Sequence, residues 1–131
     1  MSDFLKLKKR KDFVRVAKAG AKVVTTSFIL QAAQSLSKES QEPKFGFTTT
    51  KKLGHAVVRN RARRRMRAAV RETVNAAAMN TEYVLIGRYT TAECPYTDIT
   101  RDLKYALKRI NRALYGDDYA KNSVVAVNSA D

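Results

Sequence analysis

Seven arginines and two lysines fall between Lys51 and Arg71, KKLGHAVVRNRARRRMRAAVR, and no acid interrupts them before Glu72. The chemistry such a run offers is phosphate binding. A guanidinium presents a planar fork of donors that grips phosphate oxygens in pairs and stacks on bases, where an ammonium acts as a point charge. Gly54 breaks the preceding segment, and Ala56 onward is rich in Ala, Val, Met and Arg, all but Val good helix formers. At 100° per residue, Val58, Ala62, Met66, Ala69, Thr73 and Ala77 share one side. Arg61, Arg64, Arg65, Arg67 and Arg71 share the other, with Asn60 among them. Arg59 and Arg63 lie on the flank of the apolar side, where a helix packed along its whole length would not place them. The first two turns are therefore expected to project toward a groove or a partner. A solvated helix face is the bland alternative, but such faces carry i,i+4 acid–base pairs. Here like charges crowd together unrelieved, and a polyanion, nucleic acid above all, would neutralise them.

No other residues assemble a catalytic or metal-binding constellation. His55 is the only histidine, which excludes a two-histidine acid–base pair within one chain. One histidine and one cysteine give no zinc ligand set. Cys94, beside Pro95, has no neighbour in sequence that would activate a thiol. Asp98 and Asp102 share a helix face at i,i+4 and could hold a metal. At that spacing carboxylates are far more often surface residues, and Asp98 suits a helix cap. Gly46, Gly54 and Gly87 are isolated and build no phosphate cradle. By itself the chain reads as a binder.

The elements that must position the arginines follow from composition and pattern. The chain has 131 residues, 44% hydrophobic, enough for one domain with a single core, and a net charge of +14. The excess lies in the N-terminal twenty residues and the arginine stretch, a distribution that steers association with a polyanion. No apolar run approaches the ~18–20 residues needed to span a bilayer, and MSDFLKLKKRKDF lacks the apolar core of a secretory signal. With a lone cysteine, the expectation is a cytoplasmic protein without a membrane partner.

Residues 6–19 begin with basic KLKKRK and pass into a short helix with Phe13, Val16 and Ala17 on one side, stopped by Gly20. Val23–Gln34 alternates as one strand, Ser35–Pro43 is a loop, and Lys44–Thr50 is a second strand placing Phe45, Phe47 and Thr49 together. The arginine helix fades near Asn80. Glu82–Thr90 is a third strand, buried on both faces. Thr97 or Asp98 caps a final helix with the stripe Ile99, Leu103, Leu107, Ile110 and Leu114, ended by Gly116. The order α-β-β-α-β-α predicts an α/β (α+β) sandwich with a small mixed sheet of three to four strands. Its first two strands pair through the loop, and the arginine helix crosses over to the third. Residues 1–116 form a single RNA-binding domain in this reading, and 117–131 a flexible tail.

The run FGFTTTKKLGHAVVRNRARRRMR, Phe45 to Arg67, resembles the signature of the bacterial ribonuclease P protein subunit. Lys51, Lys52, Gly54, Ala56 and Val57 match, then Arg59-Asn60-Arg61, Arg63, Arg64 and Arg67. Upstream, LKKRKDFVRVAKAG is similar to the family's N-terminal segment at Asp12, Phe13, Val16 and Gly20. The resemblance spans about residues 5–115. It implies the protein cofactor of a catalytic RNA in an endoribonuclease that removes the 5′ leader of precursor tRNA. The RNA holds the magnesium ions and the catalytic centre. Lys51, Lys52, Arg59, Asn60, Arg61, Arg63, Arg64 and Arg67 would contact the catalytic RNA. Phe13 and Gln31 would line a leader cleft between the first helix and the sheet, where an aromatic can stack on an unpaired base. Phe13 reads equally well as a core residue holding the first helix down. The resemblance also implies a left-handed crossover through the arginine helix, against the general rule. His55 stands where many members have asparagine, Ala17 and Gln31 where aromatics are expected, and Arg65 where an apolar residue is expected. The rival reading is a ribosome-associated RNA-binding protein, which gives no reason for the Arg59-Asn60-Arg61 order. A stand-alone nuclease would have to cleave without RNA.

Overall fold

A computed structural model describes residues 4–37 and 39–116; the expected tail, 117–131, lies outside the described residues. The elements run β1 (Leu5–Lys6), α1 (Arg10–Ala19), β2 (Ala21–Val24), β3 (Phe28–Gln34), β4 (Lys44–Thr49), α2 (Ala56–Thr73), β5 (Thr81–Gly87) and α3 (Tyr96–Tyr115). The five strands form one mixed sheet in the order β1-β4-β5-β3-β2.

Helix α1 lies on one face of this sheet. Its Val16 is buried with Leu7, Ala33 and Val84. Helices α2 and α3 share the other face. There Met66, Ala69 and Val70 meet Leu103, Leu107 and Ile110 over Phe28, Leu30, Phe45, Tyr83 and Leu85. Strand β5 is buried almost throughout because it is sandwiched between helices, as its continuous apolar centre requires.

Four expectations need correction. The stretch Val23–Gln34 is two antiparallel strands, not one, and with the added edge strand β1 the sheet has five strands rather than three or four. Thr25 makes the turn: its Oγ1 accepts from the Phe28 N–H at 3.1 Å and donates to the Phe28 carbonyl at 2.7 Å. Next, β3 and β4 do not pair with each other. Strand β5 inserts between them, antiparallel to β3 and parallel to β4. Third, α2 ends at Thr73, well before Asn80. Thr73 Oγ1 donates to the Ala69 carbonyl, and the chain then tightens into a 3₁₀ turn at Val74–Ala76. Tyr83 and Asn111 satisfy backbone groups of the segment that follows the helix. The Tyr83 hydroxyl accepts from the Ala78 N–H at 2.8 Å and donates to Asn111 Oδ1 at 2.5 Å. Asn111 Nδ2 in turn donates to the Ala76 carbonyl. At α3 the N-cap is Pro95, so neither Thr97 nor Asp98 caps it, although Asp98 does sit in the first turn where the dipole favours an acid.

The crossover through α2 is left-handed, and one hydrogen bond shows why. The Leu7 N–H donates to the Phe45 carbonyl, which therefore points toward β1. The Phe45 side chain lies on the α2 face. In an L-residue strand running upward with its side chain toward the viewer, the carbonyl points right. Seen from α2, β1 is thus to the right of β4 and β5 to the left. The chain rises through β4, returns in front through α2 and re-enters one strand leftward, unlike about 98% of such units.

Candidate nucleic-acid interface

A short 3₁₀ turn at Lys51–Leu53 leads from β4 to α2. Gly54 follows with φ +94° and open space around it, so conformation rather than close contact requires glycine there. Leu53 is buried under the helix with Ala62 and Ala92, and Val58 packs against them. Beyond this anchor the first turn stands clear: Ala56 is exposed and Val57 is 77% exposed. The expected projection of the first two turns is confined to Ala56 and Val57, because Val58 already packs on Leu53 and Ala92 and Ala62 is fully buried. His55 occupies the N-cap with no side-chain cap bond.

The candidate RNA-binding residues are brought together along this helix. Asn60, Arg61 and Arg64 are exposed, while Arg59, Arg63 and Arg67 are half-buried. Asn60 Oδ1 accepts from Arg63 Nη1 at 3.0 Å, and Arg63 Nη2 reaches Thr49 Oγ1 at 3.5 Å. Asn60 thus sets the direction of a guanidinium one turn on. The Arg67 guanidinium lies 5.9 Å from the centre of the Phe47 ring. Lys52 is exposed beside the helix start, and Lys51 stands next to it in the chain.

Arg65 behaves differently from its neighbours. It donates to the carbonyls of Thr91 (2.8 Å) and Cys94 (2.6 Å), clamping α2 to the connector before α3. Its place among the arginines in sequence hid this role, because the carbonyls lie 26 and 29 residues away. Nearby, the Tyr96 hydroxyl donates to Glu72 Oε2 at 2.7 Å. Burial, and then the Glu72 carboxylate, pushes the Tyr96 phenol up to about 12. Burial likewise raises the Tyr83 phenol.

Phe13 and Gln31 lie on the opposite, α1 face. The Phe13 ring covers Gly46, where an added Cβ would come within 2.5 Å of it. Gly46, Val84, Gln31 and Lys22 form one row across four strands, and Thr48, Ile86, Ile29 and Val24 the next. Gln31 is therefore two strands, about 10 Å, from the strand under Phe13. Val24 is 56% exposed, so the second row leaves apolar surface open beside α1. Phe13 is half-buried, and its contact with Gly46 and Leu7 holds α1 down whatever else it does.

The remaining sequence candidates are structural. Asp102 Oδ2 accepts from Ser27 Oγ at 2.6 Å, and Arg101 pairs with both Asp98 and Asp102. Cys94 is a half-buried free thiol. Among the described residues no group of three or more His, Cys, Asp or Glu could hold a metal ion. No helix among them is long and apolar enough to cross a membrane.

Comparison with known proteins agrees with this geometry. Residues 1–111 match the family model for ribonuclease P. The chain is similar to the ribonuclease P protein component of Paramagnetospirillum magneticum, 46% identical over 108 residues that cover 80% of this chain and 81% of that one. It is also similar to that of Gluconacetobacter diazotrophicus, 42% identical over 106 residues, covering 79% and 89%. Among solved structures, the Staphylococcus aureus RNase P protein superposes with a TM-score of 0.66 at 27% identity, covering 79% of this chain and 93% of that one. The Thermotoga maritima RNase P protein gives 0.68 at 21% identity, covering 79% and 96%, a likeness of fold. With a family match over most of its length, the chain belongs to the ribonuclease P protein family.

Proposed function

We propose that residues 1–116 act as the RNA-binding subunit of ribonuclease P, the ribonucleoprotein endoribonuclease that matures tRNA 5′ ends. One observation carries this reading: an arginine row along a helix that exposes Asn60, Arg61 and Arg64, with no acid between Lys51 and Arg71. Lys51, Lys52, Arg59, Asn60, Arg61, Arg63, Arg64 and Arg67 contact phosphates of the catalytic RNA. The uncapped N-terminus of α2 adds its own favourable field for an anion. Phe13 and Gln31, with the open row Ile29, Ile86 and Val24, line the surface that receives the 5′ leader of precursor tRNA. There apolar side chains can take unpaired bases and Gln31 can hydrogen-bond to them. Magnesium supplies the hydrolytic chemistry and is held by the RNA; the described residues do not fit a metal site, and this chain's part is to bind and orient RNA. A cytoplasmic location follows from the substrate.

Reconstitution tests the proposal. Precursor tRNA cleavage at low magnesium is measured with catalytic RNA alone, protein alone and both. Stimulation confined to the mixture is expected. Cleavage by the protein freed of all RNA, or tight binding to ribosomal RNA without stimulation, overturns the reading.

A further inference from the structure

Two adjoining cavities open along the β1 edge of the sheet and share Lys6, Leu7 and Lys8. The first, of about 290 Å³, is walled by Phe13, Phe45 and Phe47 together with Lys6, Lys8, Arg67 and Arg71; its described lining contains no carboxylate. The second, of about 380 Å³, continues past Lys9, Lys11 and Lys44, with Asp12 as its one described acid. Two cation–π seats organise the first. Arg67 sits over Phe47 at 5.9 Å and Arg71 over Phe4 at 5.7 Å, while Phe4 and Phe47 meet edge to face. These rings hold two guanidiniums in place before any ligand arrives, which lowers the entropy lost on binding.

The chemistry selects the occupant. Flat aromatic walls beside a cluster of cations suit a group that combines a planar ring with a phosphate, and an unpaired nucleotide has both. A paired base offers no free face to such a cavity. The groove is also separate from the exposed arginines at the start of α2. Arg71 lies ten residues beyond Arg61, or about 15 Å along the helix axis.

We propose that the β1 edge is a second RNA site, for a single strand. Lys6, Lys8 and Arg71 hold successive phosphates, and one base enters the aromatic cavity against Phe47. This rests on the chain being an RNA-binding subunit, and it assigns RNA contact to Lys6, Lys8, Phe47 and Arg71, while Arg67 and Phe13 border this cavity as well as the surfaces already described. The strand is either an unpaired segment of the catalytic RNA or a distal part of the leader; the chemistry is the same.

The test uses the full chain and a short single-stranded oligoribonucleotide carrying 2-aminopurine. The variant Lys6→Ala/Lys8→Ala/Arg71→Gln should bind about tenfold or more weakly. It should also flatten the salt dependence by about 2, from three phosphates at ~0.7 each. Phe47→Leu should reduce 2-aminopurine quenching and weaken binding about 5- to 150-fold. Lys104→Ala/Lys108→Ala/Arg109→Gln, on exposed positions of α3, removes the same charge and should retain binding. Equal loss in both triple variants, or none in the first, overturns the proposal. In the holoenzyme, a defect seen only with long-leader precursors identifies the leader as the strand. A defect in assembly with catalytic RNA alone identifies that RNA, and normal behaviour in both overturns the site. Failure of the subunit assignment is distinguishable, because wild-type protein would then not stimulate cleavage at all.

Discussion

Replacing Arg65 with alanine separates an arginine that holds the fold from those that hold RNA. The side chain gives two charge-assisted hydrogen bonds to backbone carbonyls, at 2.8 and 2.6 Å. Bonds from charged donors contribute about 1.5–3 kcal/mol each when no water can replace them. At this half-buried site water recovers part of that, so the pair together is expected to contribute about 2 kcal/mol. For a domain of this size that corresponds to a fall in Tm of roughly 10 °C. Arg64→Ala, one position earlier and exposed, should change stability by no more than about 0.5 kcal/mol. The assay pairs thermal melts with catalytic-RNA affinity for both variants, each measured across a salt series. Arg65→Ala should melt early and, once folded, keep most of its affinity. Arg64→Ala should melt normally and lose affinity, with the salt slope reduced by about 1. If Arg65→Ala melts like wild type and loses as much affinity as Arg64→Ala, the clamp is wrong and Arg65 belongs to the RNA surface.

Arg61→Ala/Arg64→Ala should weaken catalytic-RNA binding and lower the salt slope by about 2 with an unchanged melt, read by filter binding and circular dichroism. Gly46→Ala should push the Phe13 ring off the sheet, lowering stability by about 1–3 kcal/mol. It should also reduce affinity for leader-bearing precursor more than for mature tRNA. The raised phenols of Tyr83 and Tyr96 favour the neutral form in the folded state. Their contribution is complete below the ordinary phenol value of about 10 and is lost as pH rises toward 12 and beyond. Alkaline unfolding monitored by circular dichroism should therefore begin above about pH 10, and Tyr96→Phe should make its onset less steep.

What the sequence displayed was whatever depends on periodicity along one element. The buried stripe of α2, its exposed Asn60, Arg61 and Arg64, and the stripe of α3 are where spacing puts them. The glycine stops at Gly20 and Gly116 both adopt positive φ. Features that depend on a distant partner were hidden. Thr25-Thr26-Ser27 contains no glycine or proline, so the turn between β2 and β3 has no punctuation and the run reads as one strand. Two-residue β1 is too short to show alternation and exists only because β4 offers it an edge. Arg65 shares the side of its neighbours, and nothing in its spacing reveals the carbonyls of Thr91 and Cys94. The leader-cleft candidates came from resemblance, and their row across four strands follows from register, which one strand cannot disclose.

The position of β5 has a consequence for synthesis. The central strand of the sheet is the last strand to be made, and β3 and β4 each lack their inner neighbour until it is. A nascent chain that has reached Thr73 already carries all seven arginines of α2, yet has no strand between β3 and β4. The pairings that complete the sheet span long stretches of sequence and form late. The helix can therefore be seated on its sheet only after Gly87 is available. Competence to grip RNA is tied in this way to completion of the fold, and a truncated product holds its charges on an unfinished scaffold.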